Sequence, residues 1–287
     1  MQEQKFYNAI MYSVKKDDGW GYPMNITPQI GSDGDMVPTF LSADGKELLL
    51  IRRTNSSNGN IYYAKKEGDF WSKAVKLRKN INSLSDEDHA SFSADGKSLI
   101  FSSARRGSLG GLDLYISKQQ GDETWGEPVN LGPKVNTEND ETSAFLLEGD
   151  STLYFASKGH FNMGGYDVFY VKKNIHDEWK DAVNIGYPLN TTSNNTLYQP
   201  VLDGNTGYIA LYGDEFNYGE EDIYRLEILA FTDPIVPKKT KFQEDFTLLL
   251  EQLESGEKIE IIYDRKTDNF IIHSNQETKL KLLRKQY

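Results

Sequence analysis

The chain has 287 residues, with 32 Lys and Arg against 43 Asp and Glu, a formal net charge of −11, and no cysteine. That length supports one large core, or a core with a small appendage. The missing thiols exclude disulfides, cysteine catalysis, cysteine metal sites and a lipoprotein anchor, and the acidity argues against nucleic acid, whose binders carry basic faces.

Aromatic residues make up 12% of the chain, with 17 Tyr and 14 Phe, which suits a β-rich fold. No apolar run approaches the ~20 residues that span a bilayer, so no membrane-spanning segment is expected. The opening Met1–Phe6 has no apolar signal core. The chain therefore reads as cytoplasmic, or as exported with its signal outside this sequence.

Taken in order, the same phrases return along the chain. An apolar strand, "AIMYSV" at 9–14, precedes "WGYPMNI" at Trp20. A turn phrase, "SADGKELLLI" from Ser42, then leads to the strand "NIYYAK" and to "WSKAVKL" at Trp71. "SADGKSLIF" from Ser93, "DLYISK" and "WGEPVNL" at Trp125 repeat the series. So do "LEGDSTLYF" from Leu147, "DVFYVK" and "WKDAVNI" at Trp179, and finally "LDGNTGYIA" from Leu202 with "DIYRLE" at 222–227. The Trp gaps are 51, 54 and 54 residues, and self-similarity at such a period marks a repeat architecture.

Each full period reads as four short strands, a to d. In the third copy these are "SAFLL", "TLYFAS", "YDVFYVK" and "DAVNIG". One four-stranded sheet per repeat is a propeller blade, and stacking neighbours buries both apolar faces of each sheet. The fold class is all-β: a β-propeller of four to five blades over residues 1–230, its ring complete or incomplete. Each Trp is expected to pack between adjacent blades, where its large area stabilises most.

The Gly-rich stretch "RRGSLGGLDLY" at 105–115 is a b–c loop, not a phosphate cradle. A phosphate loop feeds a helix N-terminus, whereas β-branched and aromatic residues follow here. "KGHFNMGGYDVFY" and "GDEFNYGEEDIY" fill the same slot in later copies. Asp113, Asp167 and Asp222, with Asn60 in the first copy, open strand c, where a short carboxylate or amide binds turn amides.

Residues 92–118 and 125–137, "FSADGKSLIFSSARRGSLGGLDLYISK" and "WGEPVNLGPKVNT", resemble TolB-type, WD-like (PD40-type) propeller repeats of envelope proteins from Bacteroidota. The resemblance covers residues 8–229. In that family such repeats often precede a carboxypeptidase-regulatory-like domain and an OmpA-type peptidoglycan-binding domain, as in type IX secretion accessory proteins. It implies a β-propeller acting as a non-catalytic binding scaffold, in the periplasm or at the outer membrane, for a protein or envelope glycan. The first repeat lacks strands a and b and the last lacks strand d. If the N-terminal d strand closes the last blade, four blades are complete with one c strand left over; a five-bladed ring needs two more strands.

Residues 231–241, "FTDPIVPKKTK", read as a linker. Within 242–287, Phe242, Phe246, Leu249, Leu250 and Leu253 keep helical spacing up to Gly256. "KIEIIYDRKTDNFIIHS" alternates around a polar turn like a β-hairpin, and "TKLKLLRKQY" is a basic amphipathic end. This small α/β tail resembles no OmpA-type domain, so peptidoglycan binding does not carry over. It is expected to dock on the propeller or a partner.

Two loop sets are candidate partner-binding surfaces. The d–a loops are acidic: Asp35, Asp86, Asp88, Asp140 and Glu141 form a partial carboxylate ring at the channel mouth, with His89, Asn194 and Asn195 beside them. Such a ring focuses field and draws cations or a basic peptide. Calcium fits its oxygen-rich character, although no loop carries a dedicated calcium spacing. The b–c loops add Arg52, Arg53, Arg105, Arg106, His160, Phe161, Phe216 and Tyr218, the residue types of interface anchors. The plainer reading of both sets is turn capping and solubility.

Catalysis is the weaker reading. A glycosidase needs two facing carboxylates about 5–9 Å apart, and none of the acids is marked as such a pair. No Gly-x-Ser-x-Gly elbow appears, and His89, His160, His176 and His273 lack zinc spacing.

Overall fold

The structure is a computed structural model, and it describes residues 8–17, 19–54, 57–121, 124–147, 149–187, 189–201, 206–211, 222–227, 259–264 and 269–274. The chain divides into two compact units, Met1–Leu229 and Ala230–Tyr287.

The first unit is a succession of antiparallel sheets in chain order, in a four-blade propeller arrangement. Blade 1 joins Met36–Leu41, Glu47–Thr54, Ser57–Glu67 and Val75–Lys76 as strands a to d. Blade 2 joins Glu87–Phe92, Ser98–Ser103, Asp113–Gly121 and Val129–Asn130. Blade 3 joins Glu141–Leu146, Thr152–Ser157, Asp167–Lys172 and Val183–Asn184. In blade 4 three strands are described: Tyr198–Val201, Thr206–Leu211 and Asp222–Glu227. The all-β propeller expected from the repeat is what forms.

The turn phrase works as its residues suggest. Ser93 Oγ donates to Asp95 Oδ1 at 2.6 Å and accepts from the Ser98 amide, while Asp95 Oδ1 takes the Lys97 amide at 3.0 Å. Gly96 supplies a φ of 70° that a side chain would oppose. Ser42, Asp44 and Gly45 repeat this in blade 1. Register follows from the short turn, and the period-2 alternation then aims successive residues at the two neighbouring blades.

Both faces of each interior sheet are covered. Leu49, Ile51 and Ile61 of blade 1 pack with Phe92, Leu99, Phe101 and Tyr115 of blade 2. Ile100 and Leu114, on the other face of blade 2, pack with Leu146, Phe155 and Phe169 of blade 3. Tyr154 and Val168 continue the series with Tyr198 and Ile209 of blade 4. Burying apolar surface at ~25 cal/mol per Å² is what holds sheets that have no covalent tie beyond their loops.

The N-terminal copy differs from one expected closure. Met24–Asn25, its strand d, pairs with its own strand c, Met11–Tyr12, and among the described residues not with the last blade. The pair is local, so its closure entropy is small, and the Ile26 amide extends it by bonding Ile10 O at 2.9 Å. Ile10 and Ile26 pack against Leu48, Leu50 and Trp71 of blade 1.

In the second unit, Ile259–Asp264 and Asn269–Ser274 form the expected hairpin. The linker at 231–241, the helix at 242–253 and the basic end lie outside the described residues.

Candidate functional site

The two candidate loop sets form one surface. The glycines of the b–c loops of blades 2 and 3 lie against the d–a loop that leads into the next blade. A Cβ on Gly110 or Gly111 would collide with Asn139 and Asp140, and one on Gly164 or Gly165 with Ser193 and Asn194. Gly59 stands in the same relation to Asp86 and Glu87. The Gly-Gly pair is there for close approach, which any side chain would prevent.

Polar side chains at repeating positions fasten this contact. Asp86, Asp140 and Asn194 each accept from a backbone amide at the N-terminal end of strand c of the preceding blade: Gly59 at 2.5 Å, Leu112 at 3.1 Å and Tyr166 at 3.0 Å. Next to them, Glu87, Glu141 and Asn195 are buried. Glu87 Oε1 takes the Ser83 and Ser103 hydroxyls at 2.6 and 2.9 Å. Glu141 takes the Thr137 amide and the hydroxyls of Thr137 and Ser157, and Asn195 takes the Thr191 amide. Burial pushes the Glu141 carboxyl up despite these bonds.

The acids are largely neutralised by bases from the ends of strands b. Asp35 pairs with Arg52 at 2.5 Å, Asp86 and Asp88 share Arg53 at 3.0 and 3.1 Å, and Asp140 pairs with Lys158 at 2.8 Å. The Lys158 ammonium holds the Asp140 carboxyl below the usual carboxylate range. Burial works against ionisation of Asp35, but Arg52 outweighs it and keeps that carboxyl low as well. The expected carboxylate ring is thus a ring of ion pairs, with four Asp facing three bases. Among the described residues, no group of three or more His, Asp or Glu is placed to hold a metal ion.

His89 is buried, unlike a solvated loop histidine, with its ring edge-on to Phe145 at 5.1 Å and no hydrogen bond at either ring nitrogen. Desolvation drives its pKa down to about 4, against a weaker pull from Asp88 and the Thr39 backbone. It lies in the bulge of strand a between Glu87 and Ala90, where the ladder register shifts.

Two expected interface anchors turn inward. The Arg105 guanidinium lies 4.7 Å over Phe101 and 5.0 Å over Tyr115 and donates to Asn80 O at 3.1 Å and to Ile81 O. His160 sits 5.7 and 5.3 Å from the Phe155 and Phe169 rings, with Nε2 2.9 Å from Val135 O. Arg106 and Phe161 do face solvent, Phe161 at 96% exposure, and Leu84 at 98% and Leu109 at 51% share the face. Phe216 and Tyr218 lie outside the described residues. Asp113 and Asp167 cap loop amides as expected: Leu109 at 2.7 Å and Met163 at 2.7 Å.

Sequence reasoning missed three buried amides. Asn82, Asn136 and Asn190 each bind both backbone groups of an equivalent residue in the first half of strand c, Ile61, Leu114 and Val168, at 2.6–3.0 Å. Their signal was the recurrence of Asn before Ser or Thr after each strand d.

Fold and loop face together define a β-propeller whose b–c and d–a loops make one continuous, polar-stapled surface with apolar side chains standing out of it. No family model matches the chain, and no curated protein matches it. Among solved structures it is similar to TolB from Acinetobacter baumannii, at 18% identity over 77% of this chain and 49% of that chain, with a TM-score of 0.46. It is also similar to a putative TolB from Agrobacterium tumefaciens, at 14% identity over 68% and 61%, TM-score 0.44. A third is the catalytic domain of the GH62 α-L-arabinofuranosidase from Coprinopsis cinerea, at 11% identity over 75% and 84%, TM-score 0.45. The chain spans about half of the first and three fifths of the second. Among the described residues, no helix is long and apolar enough to cross a membrane.

Proposed function

We propose that the propeller is a non-catalytic binding module of a bacterial envelope complex, periplasmic or outer-membrane-associated, that holds a protein or envelope glycan on its loop face. The resemblance of its repeats to those of Bacteroidota envelope proteins supports the setting. One observation carries the mode of action: six carboxylates of this face, among them all five of the expected ring, are already committed within the fold. Asp35, Asp86, Asp88 and Asp140 sit in ion pairs, while Glu87 and Glu141 are buried and hold turn hydroxyls. A general acid and base must reach substrate and exchange protons with it. Leu84, Leu109 and Phe161, by contrast, are free to be covered by a partner.

The test exposes the full chain to arrays of envelope glycans and peptides and, in parallel, to chromogenic glycosides and peptide substrates. Capture without turnover supports the module. Turnover that falls by orders of magnitude in one of Asp35→Asn, Asp88→Asn or Asp140→Asn would make it a carbohydrate-active propeller enzyme or another hydrolase instead.

A further inference from the structure

Blades 2 and 3 build the same cradle and fill it differently. In blade 2, Phe101 pairs with Tyr115 across strands b and c, and in blade 3 Phe155 pairs with Phe169. Over the first pair lies the Arg105 guanidinium, bonded to the carbonyls of Asn80 and Ile81. Two carboxylates draw it there, Glu87 at 3.6 Å and, more weakly, Glu127. Blade 3 keeps the counterpart of each part. Lys134 and Val135 stand where Asn80 and Ile81 do, Glu141 replaces Glu87, and Asp181, two residues after its Trp, replaces Glu127.

The cation differs: Gly159 stands in register with Arg105, and His160, one residue on, covers the ring pair instead. His160 is shorter than arginine and reaches Val135 O alone of the two carbonyl positions. Beside it opens a groove of about 790 Å³, lined by Lys134, His160, Phe161, Phe169, Asp181 and Asn184 among others. Lys134 and Asp181 form an ion pair on its rim, and Phe161 stands exposed over it.

We propose that this groove is a slot for an arginine side chain of a protein partner, which enters in trans beside His160 and reaches Lys134 O and Asp181, the counterparts of two of the groups that hold Arg105 in cis one blade earlier. A planar guanidinium suits the slot because it stacks on a ring and forks to carbonyl and carboxylate at once, which an ammonium does not. Asp181 is half of a solvent-exposed pair, so an incoming guanidinium exchanges one partner for another at small cost. The net charge of −11 favours approach of a basic segment.

The experiment uses the full chain and the peptide acetyl-Gly-Arg-Gly-amide, with its lysine analogue as control, followed by chemical-shift titration. The arginine peptide binds saturably with a Kd in the ~1 mM range, and the lysine peptide binds at least about tenfold more weakly. His160→Arg supplies the guanidinium in cis and abolishes binding while melting no lower than the wild type. Asp181→Asn and Phe161→Ala, both at the surface, weaken binding severalfold and keep the fold. Equal binding by His160→Arg, equal binding of the two peptides, or no shift at ~10 mM peptide would overturn the slot. Because the slot rests on the binding reading above, the two fail separately. A blank titration with array capture intact removes the slot alone, whereas turnover of arrayed substrates removes the non-catalytic reading.

Discussion

Trp71 and Trp20 open the same phrase, yet Trp71 is 5% exposed and Trp20 63%. Trp71 lies in the interface between the N-terminal sheet and blade 1, edge-on to Tyr12 at 5.7 Å. Trp125 stacks on Phe92 at 5.5 Å, and Phe40 of the preceding blade meets that same ring. Trp179 packs between blades 2 and 3. In each case the Trp of one blade closes the gap toward the blade before it. Met11 shows the same contrast: it is 52% exposed, while Tyr115 and Phe169, at its position in strand c, are buried. A repeat phrase therefore prepares a face, and only a neighbour on that side turns the face into core.

The largest test of that contrast is truncation. Trp71→Ala should cost about 3–5 kcal/mol of unfolding free energy and Trp20→Ala under about 1 kcal/mol, read from urea melts of the full chain. The Trp71 indole N–H has no hydrogen-bond partner, so its contribution is area and contact alone. Equal losses at the two positions would show that the N-terminal face is covered after all.

A pH scan probes the interior from another side. His89 has its folded pKa depressed to about 4 from a usual 6.5, so the unfolded chain binds its proton first. Its contribution is fully present above pH 6.5 and is lost as the pH falls toward 4, by up to ~3 kcal/mol. His89→Gln removes this slope, whereas His176→Gln, in an exposed turn, leaves it in place.

The smallest expected effect concerns the amides that clasp strand c. Asn136→Ala strands the amide and carbonyl of buried Leu114 and should cost about 2 kcal/mol. At the N-terminal sheet the task is split: Thr27 Oγ1 takes the Ile10 amide at 2.8 Å, and the Ile26 amide serves Ile10 O. Thr27→Ala should therefore cost only about 1 kcal/mol in the same melts.

The strands were readable because their signals are local. "DVFYVK" and "TLYFAS" alternate with period 2, and the Ser-Ala-Asp-Gly turns carry their own hydrogen bonds, so Thr152–Ser157 and Asp167–Lys172 fall where the residues put them. The candidate site was readable only as a list of residue types. Arg105 looked like a free anchor in a Gly-rich loop, and its partners, Asn80 O and Ile81 O, lie 25 and 24 residues away on the preceding loop. Asp86 and Asp88 looked like open acids, and their base, Arg53, comes from a different blade.

By itself, the order of residues determined that this protein would be a series of small antiparallel sheets, because strand period, turn chemistry and repeat length all act within a few tens of residues. Tertiary structure alone decided which polar groups are spent and which remain for a partner. A charge is neutralised, or a histidine desolvated, by atoms brought near in space, and the stacking of blades chooses those atoms.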